Sequence, residues 1–164
     1  MPIGQSILRT AGFNSSIQRS SYKRAGQITA FLCHSHKDQN LALGFQQLLH
    51  DQGIDLYIDW QDSSMPDSPN AETANKLRYR IIDCSWFLFL ATSNSMTSRW
   101  CPWELGYADG KKADGKILIV PTQDGLTTYG NEYLHLYPRV DLSQTGKLAK
   151  FAPNSNLGTT SIFS

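Results

Sequence analysis

The sequence predicts an α/β fold in which a central parallel sheet of about five strands is flanked by helices. Three observations predict it. The runs at 86–90 (WFLFL) and 117–120 (ILIV) are continuously apolar, as is typical of parallel strands buried on both faces. Segments with helical spacing of apolar residues alternate with such runs along the chain. The length of 164 residues corresponds to one domain, since most domains contain roughly 100–200 residues.

The first half of the chain predicts two strands around one helix. The apolar run at 28–33 (ITAFLC) follows Gly26 and predicts a buried strand. Asp38 is predicted to cap the next helix, because its carboxylate can accept hydrogen bonds from the free amides of the first turn. Gly53 is placed to end that helix in a left-handed turn, and 54–58 (IDLYI) predicts the second strand. The buried face of this helix is predicted at Leu41, Phe45, Leu48 and Leu49.

The second half predicts further helices and strands. A long loop at 59–68 precedes Pro69, which suits the first turn of a helix. Another helix is predicted at 100–109, between the two central strands named above. A weaker last strand is predicted at 137–142 (YPRVDL), and one short helix is predicted at 147–151.

Composition excludes several classes of partner. Lys and Arg number 15 against 14 Asp and Glu, a balance that argues against a nucleic-acid-binding protein. No apolar run approaches the roughly 20 residues that span a bilayer, so we expect no membrane partner. The three cysteines, Cys33, Cys84 and Cys101, are an odd number without close pairing. They predict a reduced chain without a disulfide framework, and therefore a cytoplasmic location.

The sequence divides into three regions. Residues 1–26 form a basic, Ser-rich N-terminal arm with four Lys or Arg residues and no acidic residue. We expect this arm to be flexible or to pack on the domain or on a neighbour, although an organelle transit peptide would have a similar composition. Residues 27–142 form the domain. Residues 143–164 form a polar C-terminal tail rich in Ser, Thr, Asn and Gly.

The functional site is predicted at the carboxyl ends of the strands. In an open parallel sheet the ligand lies there, where the strand order reverses. Three loops meet this condition, at 34–38, 59–68 and 91–104. Neither a GxGxxG fingerprint nor a GxxxxGK[ST] loop is present, so a dinucleotide-binding Rossmann site and a P-loop are both excluded.

Two familiar chemistries are disfavoured in these loops. His34 and His36 could bind a metal together with Cys33 or Asp38, but zinc needs three or four converging ligands. We favour the interpretation that the two histidines are ordinary polar loop residues and predict no metal site. A nucleophilic cysteine is also disfavoured, because Cys33 lies in a buried strand and no histidine is paired with Cys101.

The segment at 98–105 (SRWCPWEL) is the most informative one. Trp100 and Glu104 are four residues apart, so on a helix they share one face. A carboxylate at the mouth of the crevice can bind sugar hydroxyls and stabilise positive charge, while an indole can stack on a planar ring. A surface glutamate beside a core tryptophan explains the pattern equally well.

Several motifs, in the expected order, resemble the Toll/interleukin-1 receptor (TIR) domain family. SRWCPWEL after WFLFLATSNS is similar to the W-C-x-x-E segment of that family, and FLCHSHKD resembles its first-strand motif. LYIDWQDSSMP and KILIVP resemble its second strand with the following loop and its fourth strand. The resemblance covers residues 27–142 and implies a flavodoxin-like, three-layer fold.

The resemblance also implies an activity and its residues. In enzymatic TIR domains the glutamate of the W-C-x-x-E segment cleaves the nicotinamide–ribose bond of NAD⁺, so Glu104 is the expected catalytic residue. Trp100 is expected to stack on the substrate or to shape the pocket for the product, and Asp59 and Trp60 are expected to flank the site. The lower-ranked candidates for ribose or phosphate contacts are His34, Ser35, Lys37 and Ser93. NAD⁺ is the substrate, so no separate cofactor is expected.

The resemblance further implies a setting in bacterial immunity. Short stand-alone TIR proteins make ADP-ribose or cyclic ADP-ribose isomers that activate a separate effector, as in Thoeris-type antiphage systems. Assembly into a homo-oligomer through TIR–TIR contacts is expected. Two alternatives remain open from the residues: a non-catalytic TIR adaptor, and a nucleoside ribosyltransferase of related fold.

Overall fold

The computed structural model describes residues 1–15, 24–54, 56–59, 68 and 70–164, and for 56–59 it describes the backbone alone. Within the described residues one sheet contains nine strands. They are β1 (Ile3–Gly4), β2 (Ile28–Cys33), β3 (Leu56–Asp59), β4 (Trp86–Ala91), β5 (Ile117–Asp124), β6 (Thr127–Tyr129), β7 (Arg139–Leu142), β8 (Leu148–Phe151) and β9 (Gly158–Thr159). The helices are α1 (Gln5–Phe13), α2 (Gln39–Asp51), α3 (Ala71–Asp83), α4 (Ser93–Thr97) and α5 (Cys101–Asp109).

Five strands form the parallel centre of the sheet, in the order β3-β2-β4-β5-β7. This order is that of a flavodoxin-like sheet. Beyond it, β8 and β9 extend the β7 edge as antiparallel strands, while β1 and β6 pair with the end of β5. The predicted α/β fold with about five parallel strands is confirmed, and the complete sheet is larger and mixed.

The sheet separates two apolar layers, because successive residues of a strand point to opposite faces. On one face Ala30 and Leu32 of β2 pack with Phe45 of α2. On the other face Phe31 and Cys33 of the same strand pack in the layer that contains α3 and α5. The pleat of β2 therefore directs Cys33 toward the helix that carries Glu104.

Glycines allow α1 to lie directly on α2. A Cβ at Gly44 of α2 would stand 1.9 Å from the backbone oxygen of Leu8, and a Cβ at Gly12 of α1 would stand 2.2 Å from the Asn40 backbone oxygen. Leu8 is fully buried in the core, as is Ile3 of β1. Residues 1–15 of the predicted N-terminal arm thus pack on the domain, through strand pairing and a helix contact.

The ends of α2 and α3 follow from local chemistry. Gly53 has φ +76°, and the amides of Gly53 and Ile54 donate to the carbonyls of His50 and Leu49 at 2.8 and 3.0 Å. The left-handed helix end predicted at Gly53 is confirmed, and its two hydrogen bonds are those of a Schellman motif. Pro69, predicted in the first turn of α3, lies outside the described residues. The helix begins at Ala71 behind Asn70, whose side chain accepts from the Thr73 amide at 2.9 Å.

The C-terminal tail differs from its prediction. The short helix expected at 147–151 is wrong, since Leu148–Phe151 form β8 and pair antiparallel with β7. The pairing joins Arg139 to Phe151 and Leu142 to Leu148. Leu148 and Phe151 are buried, so the tail gains core contacts as a strand that a helix of one turn could not provide. The weak strand expected at 137–142 is confirmed as β7.

Candidate active site

The predicted crevice lies between the carboxyl ends of β2 and β4. These neighbouring strands are the point where the strand order reverses, because β3 lies on one side of β2 and β4 lies on the other. β2 ends at Cys33 and β4 ends at Ala91. The loops that follow them lead into α2 and, through α4, into α5.

A buried carboxylate ties these two loops together. Asp38 accepts hydrogen bonds from the Thr92 hydroxyl at 2.5 Å and from the Asn94 side-chain amide at 2.7 Å. Thr92 also accepts from the Ser95 amide at 3.1 Å and so caps α4. Asp38 does occupy the predicted N-cap position of α2, but the predicted capping bond is wrong, because its carboxylate accepts from the β4 loop and not from the amides of the helix. A buried charged acceptor is stabilised by strong donors, and the β4 loop supplies them.

Glu104 lies in the first turn of α5 and is fully buried. Its carboxylate lies in a cluster with two thiols: ligand atoms of Cys33, Cys101 and Glu104 are all within 4.8 Å of one another. Both cysteines are also buried and carry no disulfide. A negatively charged side chain near a helix N-terminus is favoured by the free amides there.

The local sequence explains how Glu104 reaches this position. Cys101 and Glu104 are three residues apart, so both side chains lie on one face of α5. Pro102 suits the start of a helix. The Ser98 hydroxyl accepts from the amides of Trp100 at 3.1 Å and of Cys101 at 3.3 Å, and so orders the chain at the helix entry.

Burial keeps the Cys33 side chain in its thiol form. Desolvation raises its pKa well above the ordinary value, and the neighbouring Cys101 and Glu104 raise it further. The Cys33 thiol also lies 3.7 Å from the Cys101 carbonyl oxygen, to which it donates. Tyr133 contacts the Phe89 ring edge-on at 5.5 Å; burial raises the pKa of its phenol, with smaller contributions from Glu132 and the two thiols.

Trp100 begins an aromatic row along α5. It meets Trp103 edge-to-face with ring centroids 5.8 Å apart, and Trp103 stacks on Tyr107 at the same distance. The guanidinium of Arg78 from α3 lies 5.4 Å from the Trp103 ring centre and 5.8 Å from that of Tyr107. Trp100 itself is only 7% exposed, so little of its indole is open to a ligand in this conformation.

The first-loop candidates make contacts within their own loop. His34 is 2% exposed, and its Nδ1 lies 2.9 Å from the Leu32 carbonyl oxygen. Since a carbonyl only accepts, this nitrogen carries the proton. Ser35 accepts from the Lys37 amide at 3.3 Å and caps a single 3₁₀ turn at His36–Asp38. Lys37 and Ser93 are exposed at the carboxyl side of the sheet.

Two predicted residues fall at the limit of the described chain. Asp59 is the last residue of β3, where its backbone pairs with Phe31 of β2, and its side chain is not described. Trp60 lies outside the described residues. Their predicted place beside the crevice therefore stays a prediction.

Comparison with protein families decides the identity of this fold. Residues 30–152 match the model of the TIR domain. The chain belongs to the TIR domain family. The match includes both loops of the crevice and the whole of α5, and it extends beyond residue 142 to include β8.

One curated relative of this TIR domain is a probable 3′ cyclic ADP-D-ribose synthase, ThsB′, of Bacillus cereus (strain MSX-D12). The two are 40% identical over 113 residues, which are 67% of this chain and 58% of the relative. The chain thus matches less than two thirds of that protein's length. Among the described helices of the TIR domain, none combines the length and apolar character needed to cross a membrane.

Sequence reasoning missed two features of this TIR domain. It disfavoured Cys33 and Cys101 as nucleophiles and did not anticipate that both thiols meet Glu104. The alternation of the buried strand, together with the C-x-x-E spacing, was the available signal. It also assigned the Asp38 carboxylate to the amides of α2, because a contact across 54 residues to Thr92 leaves no mark in the local sequence.

Proposed function

We propose that this TIR domain cleaves the nicotinamide–ribose bond of NAD⁺, releasing nicotinamide together with ADP-ribose or a cyclic ADP-ribose isomer. The position of Glu104 carries the proposal: a single carboxylate in the first turn of α5, at the reversal point of the sheet. The name of the Bacillus cereus relative, a cyclic ADP-ribose synthase, supports the same chemistry.

The reaction suits one carboxylate without a general acid. Nicotinamide leaves as a neutral ring from a cationic precursor, so its departure requires no proton. The ribose becomes oxocarbenium-like in the transition state, as in glycoside cleavage. Glu104 would stabilise that charge and hold the ribose hydroxyls, a role that a preformed anion performs well in a dry site. The substrate supplies the reactive group, so we propose that the reaction uses no further cofactor.

Full burial of Glu104 means that the described conformation is a closed one. An anomeric carbon cannot approach the carboxylate while its solvent-exposed surface is zero. The proposed catalysis therefore requires a conformation in which Glu104 is open to the crevice. In that conformation we assign Trp100 to the wall of the pocket, with Asp59 and Trp60 beside it.

The polar residues of the two loops receive secondary roles in this proposal. Lys37 and Ser93 are exposed and available to a phosphate or a ribose hydroxyl. His34 hydrogen-bonds the Leu32 carbonyl, and Ser35 accepts from the Lys37 amide. These two side chains would therefore hold the loop in place.

The biological part of the proposal is signal production. The product would act on a separate effector protein in antiphage defence, and copies of the chain would assemble through TIR–TIR contacts. Three free cysteines support a reducing, cytoplasmic location.

Product analysis tests the proposed activity. The reduced, purified chain is incubated with NAD⁺ at high protein concentration, because assembly is expected to complete the site. Nicotinamide release is followed by chromatography, and the second product is identified by mass spectrometry. The expected result is nicotinamide together with an equimolar amount of a second product. That product is either ADP-ribose or a cyclic ADP-ribose isomer, whose mass is lower than that of ADP-ribose by one water. Intact NAD⁺ under these conditions would contradict the proposal.

A non-catalytic TIR adaptor is the second candidate, and the burial of Glu104 is the observation that favours it. In an adaptor the carboxylate would only stabilise the start of α5. Self-association without nicotinamide release at any protein concentration is the result that this function predicts. Preference for a deoxynucleoside over NAD⁺ would instead indicate a nucleoside ribosyltransferase.

A further inference from the structure

The buried cluster at the end of β2 has the composition of a metal site. Two thiols and one carboxylate, from Cys33, Cys101 and Glu104, place their ligand atoms within 4.8 Å of one another. All three side chains are at most 1% exposed. We propose that this cluster binds Zn²⁺ and that the bound ion removes Glu104 from its proposed reaction.

The spacing of the three ligands fits a zinc ion after a small contraction. Zn–S distances near 2.3 Å and Zn–O distances near 2.1 Å, in tetrahedral geometry, place neighbouring ligand atoms about 3.6–3.8 Å apart. The cluster therefore has to contract by about 1.0–1.2 Å at most. Rotation of the Glu104 and Cys101 side chains can supply this movement, because both project from one face of α5 and Cys33 faces them from the strand.

The choice of zinc follows from the donor set. Thiolate sulfur selects borderline-soft cations, whereas Mg²⁺ and Ca²⁺ prefer sites built entirely of oxygen. Two thiolates and one carboxylate leave a fourth tetrahedral position, which a water molecule would fill. The two histidines of the first loop are not part of this set: the ligand cluster contains neither His34 nor His36.

Zinc binding displaces the protons of both thiols. One Zn²⁺ takes two Zn–S bonds and one Zn–O bond, and the two S–H bonds of Cys33 and Cys101 break. Their two protons pass to the solvent, and no oxidant or reductant is involved. The coordinated site carries a net charge of −1, the same as one carboxylate beside two neutral thiols.

The consequence for activity rests on the proposed function. A carboxylate bound to zinc cannot stabilise a developing positive charge on ribose, so zinc would inhibit NAD⁺ cleavage. The same opening that admits NAD⁺ to Glu104 would admit the cation, and the two would compete. A rising NAD⁺ concentration is therefore expected to weaken the inhibition.

Cobalt substitution tests the site without reference to activity. The reduced full-length chain is titrated with Co²⁺, whose thiolate complexes give a sulfur-to-cobalt charge-transfer absorption in the near ultraviolet. We expect this absorption to saturate at one Co²⁺ per chain and to disappear when Zn²⁺ is added. Cys33→Ser and Cys101→Ser should each abolish it or reduce it at least tenfold. Absence of the absorption in the wild type would overturn the proposal.

Cys84 provides the matched control. It is buried like the other two cysteines but precedes β4, at the opposite end of the sheet. Cys84→Ser should leave the cobalt absorption unchanged, and an equal loss in all three variants would contradict the assignment. Circular dichroism shows whether each variant is folded. If one variant folds poorly, a zinc-dependent rise in the Tm of the wild type still tests binding, because a ligand of the folded state stabilises it.

An inhibition assay then separates the two proposals. Zn²⁺ should lower wild-type nicotinamide release at least tenfold, and a chelator should restore it. A wild type that binds cobalt through its thiols but never cleaves NAD⁺ would contradict the proposed function and leave the metal site supported. A wild type that cleaves NAD⁺ equally with and without Zn²⁺ would overturn the inhibitory role.

Discussion

Asp38 shows how one buried side chain can hold a site together. Its carboxylate joins the loop after β2 to the loop after β4, through Thr92 and Asn94. Thr92 in turn caps α4, the short helix that precedes α5. The position of Glu104 therefore depends on a carboxylate that takes no part in the proposed chemistry.

Loss of this carboxylate should destabilise the fold. In Asp38→Ala the buried Thr92 hydroxyl and the Asn94 amide lose their acceptor, and an unsatisfied buried donor costs about 1–3 kcal/mol. Urea unfolding should report a loss of that size. Asp51→Ala is the control, because the Asp51 side chain is 57% exposed and the expected change is below about 0.5 kcal/mol. Equal losses in the two variants would refute this role for Asp38.

At the scale of elements, α1 and α2 cross in close backbone contact. Gly44 leaves no room for a side chain against the Leu8 backbone. Such a contact is sensitive to a single added methyl group, because the atom it would meet is backbone and cannot rotate away.

Gly44→Ala should therefore destabilise the protein, by about 1–3 kcal/mol or more as α1 is forced off α2. Gly106→Ala is the matched control. Gly106 lies within α5, and no atom of the described residues outside its own helix backbone lies within 4 Å of the place that a Cβ would occupy. Alanine should therefore stabilise that helix by roughly 0.5–1 kcal/mol. Denaturant unfolding of both variants measures the difference. The same sign for both substitutions would contradict the described crossing.

Tyr137 links the end of α5 to the chain before β7. Its hydroxyl donates to the Asp109 carboxylate at 2.9 Å. Burial, followed by this hydrogen bond and the Asp109 charge, raises the pKa of Tyr137 to about 12. An unfolded tyrosine ionises near pH 10. The protonated Tyr137 therefore stabilises the folded state fully below pH 10, and this stabilisation is lost as the pH rises toward 12.

The free energy of unfolding of the wild type should consequently fall faster between pH 10 and 12 than that of Tyr137→Phe. Tyr79→Phe is the control, because Tyr79 is 76% exposed and its removal should leave the wild-type slope unchanged. Urea unfolding at several pH values in this range provides the measurement. Parallel pH profiles for wild type and Tyr137→Phe would show that the Asp109 contact is not maintained.

At the scale of the whole molecule, the sequence predicted what depends on local patterns. Strand β4 and residues 117–120 of β5 are continuous apolar runs, and this pattern predicted their burial on both faces. Strand β2 is also mostly apolar, with Thr29 as its one polar residue. The strand β8 was predicted as a helix, because LAKF has good helix formers and its partner in β7 is set by tertiary pairing. The antiparallel pairing of β7 and β8 buries Leu148 and Phe151, and this burial outweighs the helix preference of the segment.

In the site, too, the residues of one short motif were predicted and their long-range contacts were not. The W-C-x-x-E segment identified Glu104 and Trp100, since both belong to one short stretch of chain. Their surroundings were beyond prediction. That Glu104 is buried against Cys33, 71 positions earlier in the sequence, depends on which face of β2 each residue occupies and on how α5 lies across it.

Nicotinamide release by Glu104→Gln tests the proposed catalytic role of Glu104. Glutamine keeps the size of the side chain and removes its charge, and loss of one preorganised electrostatic group costs about 10²–10³ in rate. Release should therefore fall at least about 100-fold relative to wild type. Glu72→Gln should leave the rate unchanged, because the Glu72 side chain is 80% exposed on α3. Equal release by wild type and Glu104→Gln, with both proteins folded, would show that Glu104 is not the catalytic residue.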